Sequence, residues 1–205
     1  MRTPLLLLAL LVTMSSGLPL LHAARAQEDP SDDTPFLEGE TQESAQPPLR
    51  VTRPSDSWQF VDLERARTQA QARGEDISGY KTLRFRLWYG AARSNIFVHA
   101  WVDEVVRDGP PDPEVLARGM VEGLKSHLEG MKVKAFGRGR VGRRVGALFE
   151  VQGKNVRQGK DVAILRAVVY RPEDRAIVTV ALECPAEEVD KVRKDFKALL
   201  RKLRV

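Results

Sequence analysis

The stretch from Val162 to Leu182 constrains this chain more than any other. Val162 to Tyr170 is apolar almost throughout, and Ala176 to Leu182 repeats that character after the tight-turn sequence Pro172-Glu173-Asp174. Two apolar runs of strand length joined by so short a turn predict an antiparallel hairpin. Because neither run alternates with polar residues, both faces of that hairpin must be covered, which makes it the centre of a sheet.

Patterns on either side supply the rest. Leu83, Phe85, Leu87 and Tyr89 alternate with Arg84, Arg86 and Trp88, the period-2 signature of a strand with one buried face. Ile96, Val98, Ala100 and Val102 repeat it, with Phe97, His99 and Trp101 on a second face aromatic enough to predict a covering helix. A helix follows, with Asp112 as N-cap, Pro113 at its first position and Glu114 beside its positive end. Leu116, Met120, Leu124, Leu128 and Met131 keep helical spacing, and Gly130 marks the expected stop. Val145, Ala147, Phe149 and Val151 alternate as a further strand.

From about Pro185 a last helix carries the stripe Val189, Val192, Phe196, Leu199, Leu200 and Leu203. Glu187 and Glu188 lie in its first turn and Arg201, Lys202 and Arg204 in its last, which matches the helix dipole. Phe60 to Arg73 reads as a further helix diluted by Thr68, Gln69 and Gln71. Helices before and after hairpin-linked strands predict an α+β fold with helices packed on an antiparallel sheet.

Charge divides the chain into segments of opposite sign. The 205 residues carry 33 Lys+Arg and 28 Asp+Glu, a formal +5. Residues 1–26 read as a secretory signal peptide: Arg2, then the run Leu5 to Val12, then Ala24-Arg25-Ala26 as a small-x-small cleavage pattern. No Cys follows, so a lipoprotein anchor is not expected. After cleavage no transmembrane span is expected, and the protein belongs in a periplasm or outside the cell. Residues 27–49 hold seven acids without a Lys or Arg, together with Pro30, Pro35, Pro47 and Pro48, and read as a disordered acidic leader. Residues 50–205 form the expected single domain, with 31 basic and 21 acidic side chains and a net charge of +10.

The order of elements carries a resemblance. An early Ser57-Trp58-Gln59-Phe60 segment is followed by two strands, a long helix and a Gly-containing strand pair. The stretch RVGALFEVQGKNVRQGKDVAILRAVVYRPEDRAIVTVALEC and a helix with Phe196 near its middle complete the order. Over residues 55–205 this resembles the PsbP-like family, which includes extrinsic lumenal subunits of photosystem II and exported bacterial proteins of unknown role. The resemblance implies an α/β/α sandwich with a central antiparallel sheet, serving as a non-catalytic binding or assembly module. It brings no catalytic residues and no cofactor with it.

The residues themselves offer few candidates for chemistry. Gly137, Gly139 and Gly142 spell a dinucleotide-binding pattern, but that motif needs a strand before it and a helix after it. A strand from Val145 follows instead, so a Gly-rich hairpin or sheet edge is expected. Arg138, Arg140, Arg143 and Arg144 crowd this loop. With Lys132, Lys134, Lys154, Arg157 and Lys160 they could form one basic surface for phosphate, lipid headgroups, acidic glycan or an acidic protein. The plainer reading is edge-strand protection by cations. Nucleic acid is not expected as a partner of an exported chain without a recognised nucleic-acid module.

Basic residues from Lys191 to Arg204 oppose the stripe of the last helix, which suits either a membrane surface or a docked helix; covering the sheet favours docking. Cys184 could be a reactive thiol at a helix start or a buried strand-end cysteine. His99 and His127 lack metal-ligand spacing, so no metal is expected. Trp88, Phe97 and Trp101 suit a ligand pocket or a core equally well. No catalytic constellation emerges, so the expectation is a non-enzyme.

Overall fold

The hairpin at Val162–Leu182 forms, and it sits inside an eight-stranded antiparallel sheet. The structure is a computed structural model that describes residues 36–45, 48–90, 95–105 and 110–205. Among them are strands β1 (Phe36–Leu37), β2 (Thr41–Ala45), β3 (Pro48–Thr52), β4 (Trp58–Val61), β5 (Leu83–Tyr89), β6 (Phe97–Glu104), β7 (Leu128–Val141), β8 (Arg144–Asn155), β9 (Asp161–Arg171) and β10 (Ala176–Pro185). Helices α1 (Leu63–Ala72), α2 (Pro113–Leu124) and α3 (Val189–Lys202) complete the set. The sheet order is β1-β4-β5-β6-β10-β9-β8-β7, and β2 and β3 pair separately. None of these helices is long and apolar enough to cross a membrane.

Alternation along the central strands decides which helix each residue meets. Ala163, Leu165, Ala167 and Val169 of β9 join a core with Val192, Phe196, Leu199 and Leu200 of α3. Val162, Ile164 and Val168 of the same strand join Leu116, Ala117, Val121 and Leu124 of α2. The stripe of α3 is therefore docked, as its spacing predicts, and its buried side chains each contribute about 1.5–3 kcal/mol. One specific polar link pins it: Trp58 Nε1, fully buried on β4, donates to Asp195 Oδ2 at 2.9 Å. The aromatic second face of β6 is covered too, with Leu83, Trp101 and Ala181 packed under Leu63 of α1 and Tyr80.

Three boundaries differ from the expectation. Helix α2 begins as foreseen, with Asp112 accepting from the Glu114 N–H at 2.8 Å, but it ends at Leu124 rather than near Gly130. Tight turns replace helical bonds there, the Lys125 N–H reaching Glu122 and the His127 N–H reaching Leu124. Leu128 and Met131 belong to β7, and they kept helical spacing because they fill the same cluster as Leu116 and Leu124. Gly130, at φ +62, sits where the β7–β8 register shifts, so it shapes a bulge rather than a helix cap. Strand β7, a long edge strand, is the element that periodicity did not separate from the helix.

The leader also divides. Residues 1–26, expected to be a signal, residues 27–35 and residues 46–47 lie outside the described residues. Phe36 and Leu37 pair with β4, whereas β2 and β3 form a hairpin with Leu49 and Val51 in the core. Order there follows from alternating apolar residues and from two backbone bonds, Arg50 N–H to Arg204 O and Arg204 N–H to Arg50 O. The helix expected over Phe60–Arg73 is shorter, since Phe60 is a core residue of β4 and Asp62 caps α1.

Candidate functional site

Three segments meet at one end of the sheet. The β7–β8 turn reaches the end of α3, where the Gly142 N–H donates to Leu200 O at 2.7 Å. Gly142 has φ +58, and a Cβ there would lie 2.2 Å from Leu203 O, so only glycine permits this approach. Beside that contact, β3 bridges to the chain beyond α3 through Arg50 and Arg204. The junction encloses a cleft of about 610 Å³, within the ordinary range of ligand sites, lined by Arg50, Arg143, Arg201, Lys202 and Arg204.

Five cations share this cleft, and their charge is poorly matched. Glu43 pairs with Arg50 at 3.2 Å, but among the described residues no carboxylate pairs with Arg143, Arg201, Lys202 or Arg204. Arg201 and Lys202 are held there by the negative end of α3, which attracts cations. Arg144, next to the cleft, is engaged by Glu173 at 2.6 Å and by Val205 O at 3.3 Å.

The basic residues foreseen in sequence thus separate into two groups. Arg138, Arg140, Arg143 and Arg144 cluster around the β7–β8 turn, with Arg138 tied to Glu114 of α2 at 2.5 Å. Lys154 lies at the opposite end of β8, and Arg157 and Lys160 lie in the turn beyond it, roughly 30 Å along the strand from Arg144. Lys132 and Lys134 occupy that far half of the exposed edge strand β7, where edge protection accounts for them. Residue types alone could not foresee this split, because it depends on how long the hairpin is. The helix-end cations Arg201, Lys202 and Arg204, and Arg50 at the start of the expected domain, are the cleft residues that sequence reasoning did not join to the arginine loop.

A second polar assembly is buried within the sheet. Ala181 of β10 lies opposite His99 of β6 on one side and opposite Arg166 of β9 on the other. Thr179 and Glu183 flank Ala181 along its own strand, on the same face. All four polar residues are at least nine-tenths buried: Arg166 is 2% exposed, His99 3%, Thr179 4% and Glu183 8%. Arg86 Nε donates to His99 Nε2 at 2.8 Å, which places the imidazole proton on Nδ1. Burial, helped by Arg86 and Arg166, holds His99 well below its ordinary pKa. Burial pushes Glu183 up to about 7 against the pull of Arg166, and lowers Arg166 to about 10. A single Arg inside an otherwise apolar strand run was the available sequence signal for this place.

The remaining sequence candidates lie in strands, turns or packed interior. Gly137 and Gly139 lie in a strand and Gly142 in a turn, with no helix following, so the dinucleotide pattern lacks its context. Cys184 is 1% exposed, its Sγ facing Ala163 O at 3.9 Å, and α3 starts only at Val189. Burial first, then Glu183, Glu150 and Glu188, push its thiol up to about 12, the reverse of an activated nucleophile. Trp88 and Phe97 pack edge to face with ring centroids 5.6 Å apart, and Trp101 is buried at 7%. Among the described residues no group of three or more His, Cys, Asp or Glu converges as a metal site.

The sequence matches no family model, and no curated protein matches it. Solved structures do. The chain is similar to the cyanobacterial PsbP (CyanoP) of Synechocystis sp. PCC 6803, with a TM-score of 0.53 at 11% identity, covering 84% of this chain and 93% of that one. It is similar to LpqN of Mycobacterium tuberculosis, a protein involved in cell envelope biogenesis (TM-score 0.52, 13% identity, 76% and 81% covered). The Ran-binding protein Mog1p of Saccharomyces cerevisiae aligns comparably (TM-score 0.52, 13% identity, 82% and 96% covered). These likenesses establish a shared α+β fold, a mostly antiparallel sheet with three helices.

Proposed function

We propose that this chain is an exported, non-enzymatic binding or assembly module, layered as an α/β/α sandwich, that engages an anionic partner through the cleft at the end of α3. The observation that carries the reading is the convergence of Arg50, Arg143, Arg201, Lys202 and Arg204 around one cleft, four of them with no paired carboxylate among the described residues. Unmatched positive charge in a concave site raises the local concentration of anions and steers their approach. Each guanidinium offers a planar fork to a phosphate or carboxylate. The fold supports a binding role, since it serves a Ran-binding protein in Mog1p and a protein of cell envelope biogenesis in LpqN. The signal-like residues 1–26 support export.

The test is binding of the secreted protein, first sequenced at its N-terminus for a start at Gln27, to anionic phosphatidylglycerol vesicles and to a sulfated glycan. Binding to at least one of them should weaken steeply as salt rises. Arg143→Glu with Arg201→Glu should reduce it at least ten-fold, whereas Lys132→Glu with Lys134→Glu should leave it nearly unchanged. Salt-insensitive binding, or equal losses in the two pairs, removes the cleft as the site.

A further inference from the structure

The polar group around Ala181 lies on the opposite side of the sheet from α3 and is independent of the basic cleft. Its geometry is a cross. Neighbouring strands stand about 4.8 Å apart, so Arg166 and His99 rise on either side of Ala181, and Thr179 and Glu183 stand roughly 7 Å fore and aft. The centre holds only a methyl group. Leu83 and Trp101 pack with Ala181 beneath Leu63 and Tyr80, which close the region from solvent.

Three of the four arms carry atoms without a hydrogen-bond partner: Arg166 Nε and Nη2, His99 Nδ1 and Thr179 Oγ1. Native interiors satisfy nearly all such groups, and several unsatisfied in one place point to something that belongs there. The unmatched groups are mostly donors. Nε and Nη2 form the side edge of the guanidinium, the pair of parallel N–H bonds that a carboxylate accepts bidentately. His99 Nδ1 must also donate, because Nε2 already accepts from Arg86. Thr179 supplies a hydroxyl that serves either way.

The charge balance agrees with the donor count. Arg86 and Arg166 both face this region, and Glu183 is the carboxylate whose charge acts on Arg166. Asp103, farther along β6, is already engaged by the Thr82 side chain and attracted by Arg84. His127, which feels Arg166 and Arg157 from the β7 side, is held toward its neutral form by partial burial. Water would fill the hydrogen bonds of Arg166, but with Glu183 protonated it would leave the guanidinium charge uncompensated, and an unpaired buried guanidinium is costly.

We propose that the buried polar cross centred on Ala181 binds a small carboxylate, gripped bidentately by Arg166 Nε and Nη2 and met from the other side by His99 Nδ1 and Thr179 Oγ1. Glu183 stands beside the bound group and repels it when ionised, so binding favours the protonated Glu183. With its carboxyl titrating near 7, the competent fraction, and with it the affinity, is about ten-fold greater at pH 6 than at pH 8.

Formate is the probe, used on the full chain. Formate in about five-fold excess over its dissociation constant should raise Tm by roughly 2–4 °C beyond sodium chloride of equal ionic strength. The Arg166 Nε–H and His99 Nδ1–H resonances should shift together and saturate with the same midpoint. Arg166→Met should abolish the formate response, and Glu183→Gln should keep it while flattening its pH dependence. Equal responses to formate and chloride overturn the proposal, as does a formate response that survives in Arg166→Met. If Arg166→Met does not fold, the wild-type spectra decide. Resonances unmoved by formate, or a crystal grown in formate with only water on Arg166, end it.

Discussion

The two faces of this sheet are built by opposite rules. On the α3 side, one apolar cluster runs without interruption from Leu49 and Trp58 to Leu203. Its polar groups are matched in pairs: Trp58 with Asp195, and Glu150 with Arg193, whose Nη2 donates at 2.9 Å and whose Nε donates at 3.2 Å. On the other side the apolar residues split into two smaller clusters, one under α2 and one under α1. Between them stand His99, Arg166, Thr179 and Glu183, with several unmatched atoms. The same strands feed both faces through alternate residues, so the contrast is encoded by the even and odd positions of β9 and β10. One face concentrates the apolar burial that holds the domain together. The other accepts a cost that a pure stability requirement would have removed.

The largest expected effect breaks or keeps that contrast directly. Phe196→Ala, at the centre of the α3 stripe, should destabilise by about 3–5 kcal/mol through lost burial and a cavity. Leu116→Ala, its counterpart on α2 and slightly more exposed, should cost about 2 kcal/mol. Urea unfolding measured for both variants decides the matter. Equal costs, or the reverse order, would mean that the two faces hold the fold alike.

Much of the α3 face was legible in sequence because its signals are local. The stripe from Val189 to Leu203 is one helix's own periodicity, and the β9–β10 hairpin is contiguous. The other face was not, because its features depend on pairing between distant segments. Arg86, His99 and Arg166 come from three strands, and only the register places the last two around Ala181. Likewise Arg50 and Arg204 are far apart in sequence and meet through a backbone bridge that no composition reveals. The end of α2 failed for a third reason. Leu128 and Met131 pack into the helix's own cluster from a strand, so the spacing of apolar residues continued after the helix had stopped.

A second prediction sharpens the contrast through pH. Burial raises the Glu183 carboxyl to about 7 from a reference of 4.5, so the native chain keeps a proton that the unfolded chain has shed. Stability from this group therefore falls as pH rises from about 4.5 to 7, by up to about 3 kcal/mol. His99 acts in the opposite sense. Held well below its reference of 6.5, it loses stability as pH falls below that value, because the unfolded chain takes up the proton first. Glu183→Gln should remove the alkaline-side loss and leave the acid-side loss of His99 in place. Urea midpoints at pH 5, 6, 7 and 8 show this as a slope between pH 5 and 7 that is more positive in the variant. An unchanged slope would mean that Glu183 titrates alike in the folded and unfolded chains.

The smallest effect belongs to Cys184, which reports on the α3 face without disturbing it. The thiol is 1% exposed in the large cluster, and burial with three nearby carboxylates pushes it up to about 12. At pH 8 it is protonated as well as enclosed, so alkylation must wait for the strand to open. Native protein should therefore stay unlabelled over the period in which urea-unfolded protein labels completely, followed by intact mass. Because the substitution removes only the buried thiol sulfur and keeps the β-carbon, Cys184→Ala should cost only about 1 kcal/mol. The labelling rate in Phe196→Ala should rise in step with that variant's lost stability, since both residues belong to one cooperative cluster. In Leu116→Ala it should rise far less. Rapid labelling of the native wild type would show that the α3 face opens on its own, and the asymmetry between the faces would then lie in their chemistry rather than in their stability.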